Sequence, residues 1–279
     1  MTTMQDSLLP HKRLGTRGPW LLLLHGYMVD GGMFMPVEGG LASHYRLIIP
    51  DLRGYGAAWN WPGPYTLRQR AMDVALLIAH LTGGEPVWVL GYSMGGLVAQ
   101  TLYQERPDLV AGLILSCTFA YKPLTPLEQW QGRLLPRILK LLPPSSLANL
   151  LYPQAFGTEA FPPEVIAWYR KALQRTRLPV LLADAEQIFR YDGRPFLSKI
   201  QVPTLVIGGT ADLIVPEHHS RLLAENIPGA QLVLYPGAGH ALIFTHRRPF
   251  VRDVHRFILS ALRTRPAPNL HSSPSQSPR

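Results

Sequence analysis

Short apolar runs alternate with amphipathic segments along most of the chain. Runs of four to seven mainly apolar residues occur at Trp20–Leu24, Arg46–Pro50, Pro86–Leu90, Val110–Ser116, Thr204–Ile207 and Gln231–Tyr235. Such runs, without polar alternation, are typical of strands buried on both faces of a parallel sheet. Helical spacing of apolar residues follows at Thr66–Leu81, Met94–Glu105, Pro216–Asn226 and Arg248–Arg263. The alternation predicts an α/β fold with a mostly parallel central sheet flanked by helices.

The alternation of apolar runs and amphipathic segments stops between residues 120 and 196. The segment is rich in proline, has no obvious buried strand, and offers helical patterns at Leu127–Leu142, Pro163–Gln174 and Pro179–Arg190. We therefore expect a helical cap at 120–196, inserted into a core formed by 1–119 and 197–264. Residues 265–279 are rich in proline and serine, which predicts a disordered tail. The residues from Ser7 to Gly18 leave room for one short edge strand.

Composition excludes several classes of protein. The 279 residues are 47% hydrophobic and 16% charged, which excludes a disordered chain. The single cysteine, Cys117, excludes a disulfide framework and a cysteine-based zinc site, and we expect it to be an inert core residue. No apolar run approaches a membrane span, and Met1–Pro10 lacks the pattern of a secretory signal. These features predict a cytoplasmic protein without a membrane partner.

The net charge of +9 is unevenly distributed. Residues 246–279 hold seven arginines and one acid, Asp253, so most of the excess belongs to the last helix and the tail. No aromatic residues alternate with these arginines in the way that base stacking requires. The pattern favours a solvated helix face, and we expect no nucleic-acid partner.

The candidate chemistry centres on Gly91-Tyr-Ser93-Met-Gly95. A Gly-x-Ser-x-Gly motif between a buried strand and a helix matches a nucleophile elbow, which exposes the serine hydroxyl on a sharp turn. The alternative is a glycine-rich turn without a catalytic role. We take Ser93 as the predicted nucleophile.

A serine nucleophile needs a base and an orienting acid. His240 ends the turn after the last predicted strand, and Asp212 ends the turn after the strand before it. The order serine, acid, histidine is the one expected for this type of fold. Asp184 and Asp192 are rival acids, but both precede the returning strand and are less well placed.

The oxyanion that forms during acyl transfer needs backbone donors. We expect them to be the amides of Met94, directly after the nucleophile, and of Tyr27, in the loop after the first buried strand. His25 also ends that strand, and we interpret it as a structural histidine beneath the site.

Collinear segments then reveal a resemblance to the α/β-hydrolase superfamily. They are His25-Gly-Tyr27, Asp51-Leu-Arg-Gly-Tyr-Gly56, Tyr65-Thr-Leu67, Gly91-Tyr-Ser-Met-Gly-Gly96, Val202–Gly208 with Asp212, and Gly237-Ala-Gly-His240. The chain resembles the serine-nucleophile group with a helical cap, which implies a mostly parallel eight-stranded sheet and a triad of Ser93, Asp212 and His240. It departs from the family at Ala57-Ala58, where Trp59 and Trp61 follow and either shape the pocket wall or pack the loop.

The expected function is hydrolysis of short or medium acyl or aryl esters through an acyl-enzyme on Ser93, without a metal or a cofactor. Met28, Met33 and Phe34 are expected to bind substrate, although the same stripe of residues fits a core. Similarity to carboxylesterases, enol-lactonases and cofactor-free perhydrolases leaves lactonase, perhydrolase and carbon–carbon hydrolase as alternatives. A ligand-binding receptor on the same fold is a further one. A serine in place of aspartate excludes the dehalogenases and epoxide hydrolases of the family.

Overall fold

A computed structural model describes residues 8–123, 125–141, 146 and 161–264. The predicted disordered tail, the first seven residues and most of the segment 142–160 lie outside the described residues. Among the described helices, none combines the length and hydropathy needed to cross a bilayer.

The described residues form one sheet with the strand order β1-β3-β2-β4-β5-β6-β7. The strands are β1 (His11–Leu14), β2 (Trp20–Leu24), β3 (Arg46–Pro50), β4 (Val87–Tyr92), β5 (Val110–Ser116), β6 (Thr204–Gly209) and β7 (Gln231–Tyr235). Only β1 runs antiparallel to its neighbour, β3, and the other pairs are parallel. The predicted mostly parallel sheet is confirmed. The eight strands implied by the resemblance are not found in the described residues, because those preceding β2 form one short strand.

Helices cover both faces of the sheet. They are α1 (Glu38–Ala42), α2 (Leu67–Thr82), α3 (Met94–Glu105), α4 (Pro126–Leu141), α5 (Pro163–Arg175), α6 (Leu178–Arg190), α7 (Arg194–Leu197), α8 (Glu217–Asn226), α9 (Leu242–Thr245) and α10 (Arg247–Thr264). The predicted helices lie within two residues of the observed ones. Local chemistry sets their ends: at α2, the Thr66 side chain accepts the Gln69 N–H at 3.1 Å, and Gly83 adopts φ +67° at the other end.

Burial on two sides explains the apolar runs of the inner strands, whereas β7, at the edge of the sheet, is only partly buried. In β2, Leu22 and Leu24 pack into a core with α2 and α3, whereas Leu21 and Leu23 pack into a second core with α1 and α10. All four leucines are fully buried. A strand with a core on each face has no solvent-facing positions, so its sequence shows no alternation.

The helices α4, α5 and α6 lie in the chain between β5 and β6, where the cap was predicted. An isolated antiparallel bridge between Tyr121 and Asp192 joins the entry and exit of this segment. The bridge lies close to the predicted limits of 120 and 196, although the division into core and cap stays a prediction. The insertion places its helices at the carboxyl ends of the strands, where ligands bind in open α/β sheets.

Candidate active site

Ser93 occupies a sharp turn between β4 and α3. Its backbone has φ +54° and ψ −121°, a left-handed conformation that is rare for a residue with a side chain. The flanking glycines permit the turn, because a Cβ on Gly91 would lie 2.5 Å from the carbonyl oxygen of Gly95. A Cβ on Gly95 would lie 2.1 Å from that of Leu24. The strand and the helix therefore approach too closely for any larger residue.

The structure brings Ser93, His240 and Asp212 together in one line of hydrogen bonds. The Nε2 atom of His240 is 3.1 Å from the Ser93 hydroxyl, and its Nδ1 atom is 2.7 Å from Oδ2 of Asp212. The three residues come from loops after β4, β6 and β7, which end at the same edge of the sheet. This is the geometry of a nucleophile, a base and an orienting acid.

Asp212 is buried and fixed by its own loop. Its Oδ1 atom accepts the backbone N–H groups of Ile214 at 2.9 Å and Val215 at 2.8 Å, which leaves Oδ2 for His240. Charge-assisted bonds from backbone amides stabilise the ionised carboxylate. Cys117 is also buried nearby, and burial raises the pKa of its thiol well above the ordinary value. The thiol therefore stays protonated and inert, as the sequence predicts.

The rival acids lie elsewhere. Asp184 is buried on α6, where its carboxylate accepts hydrogen bonds from Arg70 and Tyr55. Asp192 is exposed and pairs with Arg194 at 2.7 Å. Neither is hydrogen-bonded to His240, whereas Asp212 is.

Tyr92, directly before the serine, supports the histidine. Its hydroxyl donates to the backbone carbonyl of His240, and the two rings meet edge to face with centroids 5.9 Å apart. The sequence predicts no role for Tyr92, because it occupies a variable position of the Gly-x-Ser-x-Gly motif and its partner is 148 residues away.

The predicted oxyanion donors, Tyr27 and Met94, lie beside Ser93 in the wall of one cavity. The N–H of Met94 opens α3, and the first N–H groups of a helix have no acceptor within it. Tyr27 is held from the other side, since its hydroxyl donates to the carbonyl of Leu181 on α6 at 2.6 Å. Both residues thus lie beside Ser93, and their role as oxyanion donors stays a prediction.

His25 lies beneath this loop and is fully buried. Its Nδ1–H donates to the carbonyl of Gly26 at 2.9 Å, and its Nε2 accepts the N–H of Leu52 at 2.9 Å. Burial lowers its pKa, so the ring is neutral. Because both ring nitrogens are hydrogen-bonded, His25 connects the loop of Gly26 to the loop of Leu52. This agrees with its interpretation as a structural residue.

A cavity of about 380 Å³ opens over Ser93. Of the residues expected to bind substrate, Met28 and Met33 line it, and the side chain of Met94 lies beside them. Phe34 does not line it, because its side chain is fully buried in the core against α1 and α10. We therefore withdraw Phe34 from the candidate substrate-binding residues.

Much of the cavity wall comes from the cap helices. Apolar side chains of α4, α5 and α6 form it, among them Leu134, Leu135, Ile138, Trp168, Ile188 and Phe189. Sequence patterns identified these helices as amphipathic but gave no sign that their apolar faces meet Ser93. Trp59 and Trp61 do not line this cavity: Trp59 is half exposed at 45%, and Trp61 packs beneath the Arg53 guanidinium at 5.1 Å.

Two groups of three side chains in the described residues bring possible metal ligands within 4.8 Å of one another. Cys117, Asp212 and His240 form the first, which is the hydrogen-bonded site itself. Glu128, His218 and His219 form the second, between α4 and α8. A metal-bound imidazole normally donates its other N–H to an acceptor, and Nδ1 of His219 has none among the described residues. The second group therefore fits a metal poorly.

Comparisons with known proteins give a family match and individual similar enzymes. The sequence profile of a family described as the Alpha/beta hydrolase family matches residues 21–253. The pimeloyl-acyl-carrier protein methyl ester esterase of Chromobacterium violaceum is 31% identical over 242 residues, which cover 85% of this chain and 92% of that protein.

Two solved structures of enzymes are also similar to this chain in sequence and in fold. A thermophilic esterase from Thermogutta terrifontis is 30% identical with a TM-score of 0.79, covering 91% of this chain and 93% of its own. The enol-lactonase from Burkholderia xenovorans LB400 is 29% identical with a TM-score of 0.80, covering 90% of this chain and 96% of its own.

Proposed function

The chain belongs to the alpha/beta hydrolase family, and from this we propose that it is a serine hydrolase that cleaves carboxylic esters. The observation that carries the proposal is the continuous line of hydrogen bonds from Asp212 through His240 to Ser93. The line ends at a serine hydroxyl that faces an apolar cavity.

The first half-reaction forms an acyl-enzyme. Oγ of Ser93 attacks the ester carbonyl while Nε2 of His240 takes the hydroxyl proton, and Asp212 stabilises the imidazolium. The amides of Tyr27 and Met94 hold the negative oxygen of the tetrahedral intermediate. When that intermediate collapses, the carbon–oxygen bond to the alcohol breaks, and His240 returns the proton to the departing alcohol.

The second half-reaction regenerates the enzyme. His240 takes a proton from a water molecule, whose oxygen attacks the acyl carbon on Ser93. Collapse of the second intermediate releases the carboxylic acid and returns the proton to the serine oxygen. Every proton passes through His240, so this mechanism needs no metal or cofactor.

The cavity limits the substrate. A volume of about 380 Å³ lies at the small end of ligand sites in proteins, and its wall is mainly apolar. This supports short or medium acyl or aryl esters. We assign residues 120–196 as a cap that contributes the apolar wall over Ser93.

A lactone is the second candidate substrate class. The similarity to an enol-lactonase, at 29% identity over 90% of this chain, favours it. A lactone is an internal ester, and the same attack by Ser93 would open its ring and leave the alcohol attached to the acyl group.

Hydrolysis by the purified protein tests the proposal. We expect turnover of p-nitrophenyl acetate, butyrate and hexanoate, and labelling of Ser93 by a fluorophosphonate detected by mass spectrometry. Ser93→Ala should abolish both signals, whereas Ser198→Ala, at an exposed position, should retain them. Parallel assays of small lactones distinguish the two substrate classes. Turnover that survives in Ser93→Ala would refute the assignment of the nucleophile.

A further inference from the structure

Lys122 is a buried cation in the wall of the otherwise apolar cavity. It follows β5 at the entry to the cap and is 6% exposed. Among the described residues that line the cavity, its side chain and that of His240 are the only basic ones, and none is acidic. A lysine is almost never buried unless it is paired, so its presence here needs a reason.

The ammonium group has more hydrogen-bond capacity than its protein partners use. Its Nζ donates to the backbone carbonyl of Ile214 and lies 5.6 Å from the ring centroid of Phe119 and 5.8 Å from that of Phe189. An ammonium has three N–H donors, and one is satisfied by a described protein acceptor. No described carboxylate lies within 4 Å of Nζ.

The nearest acids are engaged with other groups. The charge of Glu128 raises the pKa of Lys122. The Glu128 carboxylate is itself hydrogen-bonded to the N–H of Thr125 and to Nε2 of His219, the latter at 2.5 Å. Asp212 also influences Lys122, and both of its oxygens are used by His240 and its own loop. Burial lowers the pKa of Lys122, the direction expected when desolvation of a cation outweighs the attraction of nearby acids.

We propose that Lys122 binds a carboxylate carried by the substrate, so that the preferred substrate is a half-ester, with one end esterified and the other ionised. The inference rests on the proposed ester hydrolysis at Ser93. A substrate carboxylate would accept hydrogen bonds from the N–H groups of Lys122 that have no acceptor among the described residues. Its negative charge would balance the positive charge of the ammonium group. The apolar wall between Lys122 and Ser93 would hold the connecting methylene chain.

Three esters of one chain length test this specificity. They are monomethyl adipate, which is anionic, methyl 6-amino-6-oxohexanoate, its neutral amide analogue, and dimethyl adipate. We expect wild-type kcat/KM for the half-ester to exceed that for the amide by about tenfold to a hundredfold, the range for a charged hydrogen bond in a buried site. In Lys122→Met this ratio should fall towards one, mainly through KM, and Lys122→Arg should restore most of it.

The ratio of kcat/KM for the half-ester to that for the amide distinguishes substrate recognition by Lys122 from a purely structural role. If Lys122 only held the Asp212 loop through Ile214, Lys122→Met would slow all three esters equally, and the unchanged ratio would overturn the proposal. Lys199→Met, at an exposed lysine, controls for the change in net charge. A second measurement needs no variant: adipate should inhibit wild-type turnover of p-nitrophenyl butyrate competitively, and at least tenfold more tightly than adipamide, its neutral diamide. Equal inhibition would also overturn the proposal.

The same assays distinguish failure of the proposed ester hydrolysis from failure of the proposed role of Lys122. If no ester is hydrolysed in a manner that depends on Ser93, the enzyme assignment itself is wrong. If the neutral esters are hydrolysed through Ser93 without preference for the half-ester, only the role of Lys122 is refuted.

Discussion

At the scale of single residues, the site depends on a strained serine held by its neighbours. A non-glycine residue at φ +54° costs free energy, which the surroundings must offset. The Ser93 N–H donates to the carbonyl of Ser116 at 2.9 Å, and its own carbonyl accepts from the Thr118 hydroxyl at 2.7 Å. These bonds to the neighbouring strand fix the turn, and so direct Oγ towards His240.

The close approach at the elbow predicts that Gly95 tolerates no side chain. In Gly95→Ala the new Cβ would lie 2.1 Å from the carbonyl oxygen of Leu24, so backbone must move. We expect a loss of about 3 kcal/mol or more in the free energy of unfolding, measured with urea. Gly39→Ala is the matched control, because Gly39 is exposed in α1 and nothing lies within 4 Å of a Cβ built there. It should stabilise by up to about 1 kcal/mol. Equal effects of the two substitutions would contradict the steric argument.

Asp212→Asn should retain the fold and lose most activity. The amide can still occupy the site of the carboxylate, but its NH2 group favours the wrong tautomer of His240 and cannot stabilise the imidazolium. We expect kcat on p-nitrophenyl butyrate to fall by about 10³ to 10⁴, as in other serine triads. Asp108→Asn, at an exposed aspartate, should leave kcat unchanged. A loss below tenfold for Asp212→Asn would show that another group orients His240.

The proximity of the residues that follow strands was predictable from the sequence, whereas the position of residues in the cavity wall was not. Ser93, Asp212 and His240 could be identified because each occupies a short polar turn after an apolar run, and parallel strands bring such turns to one edge. Lys122 and Trp168 carry no comparable signal, since their place in the cavity wall depends on how α4, α5 and α6 pack. Phe34 was misassigned because a stripe of apolar residues after a strand fits a pocket and a core equally well.

At the scale of secondary-structure elements, polar contacts connect the cap to the core. The indole N–H of Trp168 on α5 donates to Asp30 at 2.8 Å, and Tyr27 donates to Leu181 on α6. The fully buried pair Arg70–Asp184 joins α2 to α6, with Tyr55 as a third member. The loop that carries the proposed oxyanion donor is thus tied to the helices that form the cavity wall.

Breaking the buried pair should be costly. Asp184→Asn leaves the Arg70 guanidinium buried without a counter-charge, which we expect to lower the free energy of unfolding by about 3–5 kcal/mol. The control is Glu186→Gln on the same helix, whose exposed pair with Arg190 is worth about 0.5 kcal/mol or less. Replacing both partners, in Arg70→Met with Asp184→Leu, should recover part of the loss. If Asp184→Asn costs no more than Glu186→Gln, the pair does not hold the cap.

Long or fully buried helices and strands could be located from the sequence, whereas short ones could not. The strands buried on both faces and the long helices were located to within two residues, because apolar runs and helical spacing mark them. The helices α1, α7 and α9, of four or five residues, were missed, since one turn is too short to show a period. Their positions follow from packing between loops rather than from local pattern.

At the scale of the whole molecule, buried neutral histidines couple stability to pH. His219 on α8 is fully buried, and burial lowers its pKa from 6.5 to about 4 despite the bond to Glu128 on α4. The positive charge of Lys122 and the neighbouring His218 lower it further, while Phe119 packs against the ring. Burial lowers the pKa of His25 in the same direction.

The sign of the effect follows from proton uptake. Between pH 6.5 and about 4, an unfolded His219 is protonated and the folded one is not, so the unfolded state binds more protons. The free energy of unfolding should therefore fall as pH falls through this window, with His219 contributing up to about 3 kcal/mol. His219→Gln keeps a neutral donor for Glu128 and cannot bind the proton, so urea unfolding between pH 7 and pH 4 should show a shallower decline than wild type. His80→Gln, at an exposed histidine, should follow the wild-type curve. Parallel curves for wild type and His219→Gln would mean that His219 titrates alike in both states, contrary to its burial between the cap and the core.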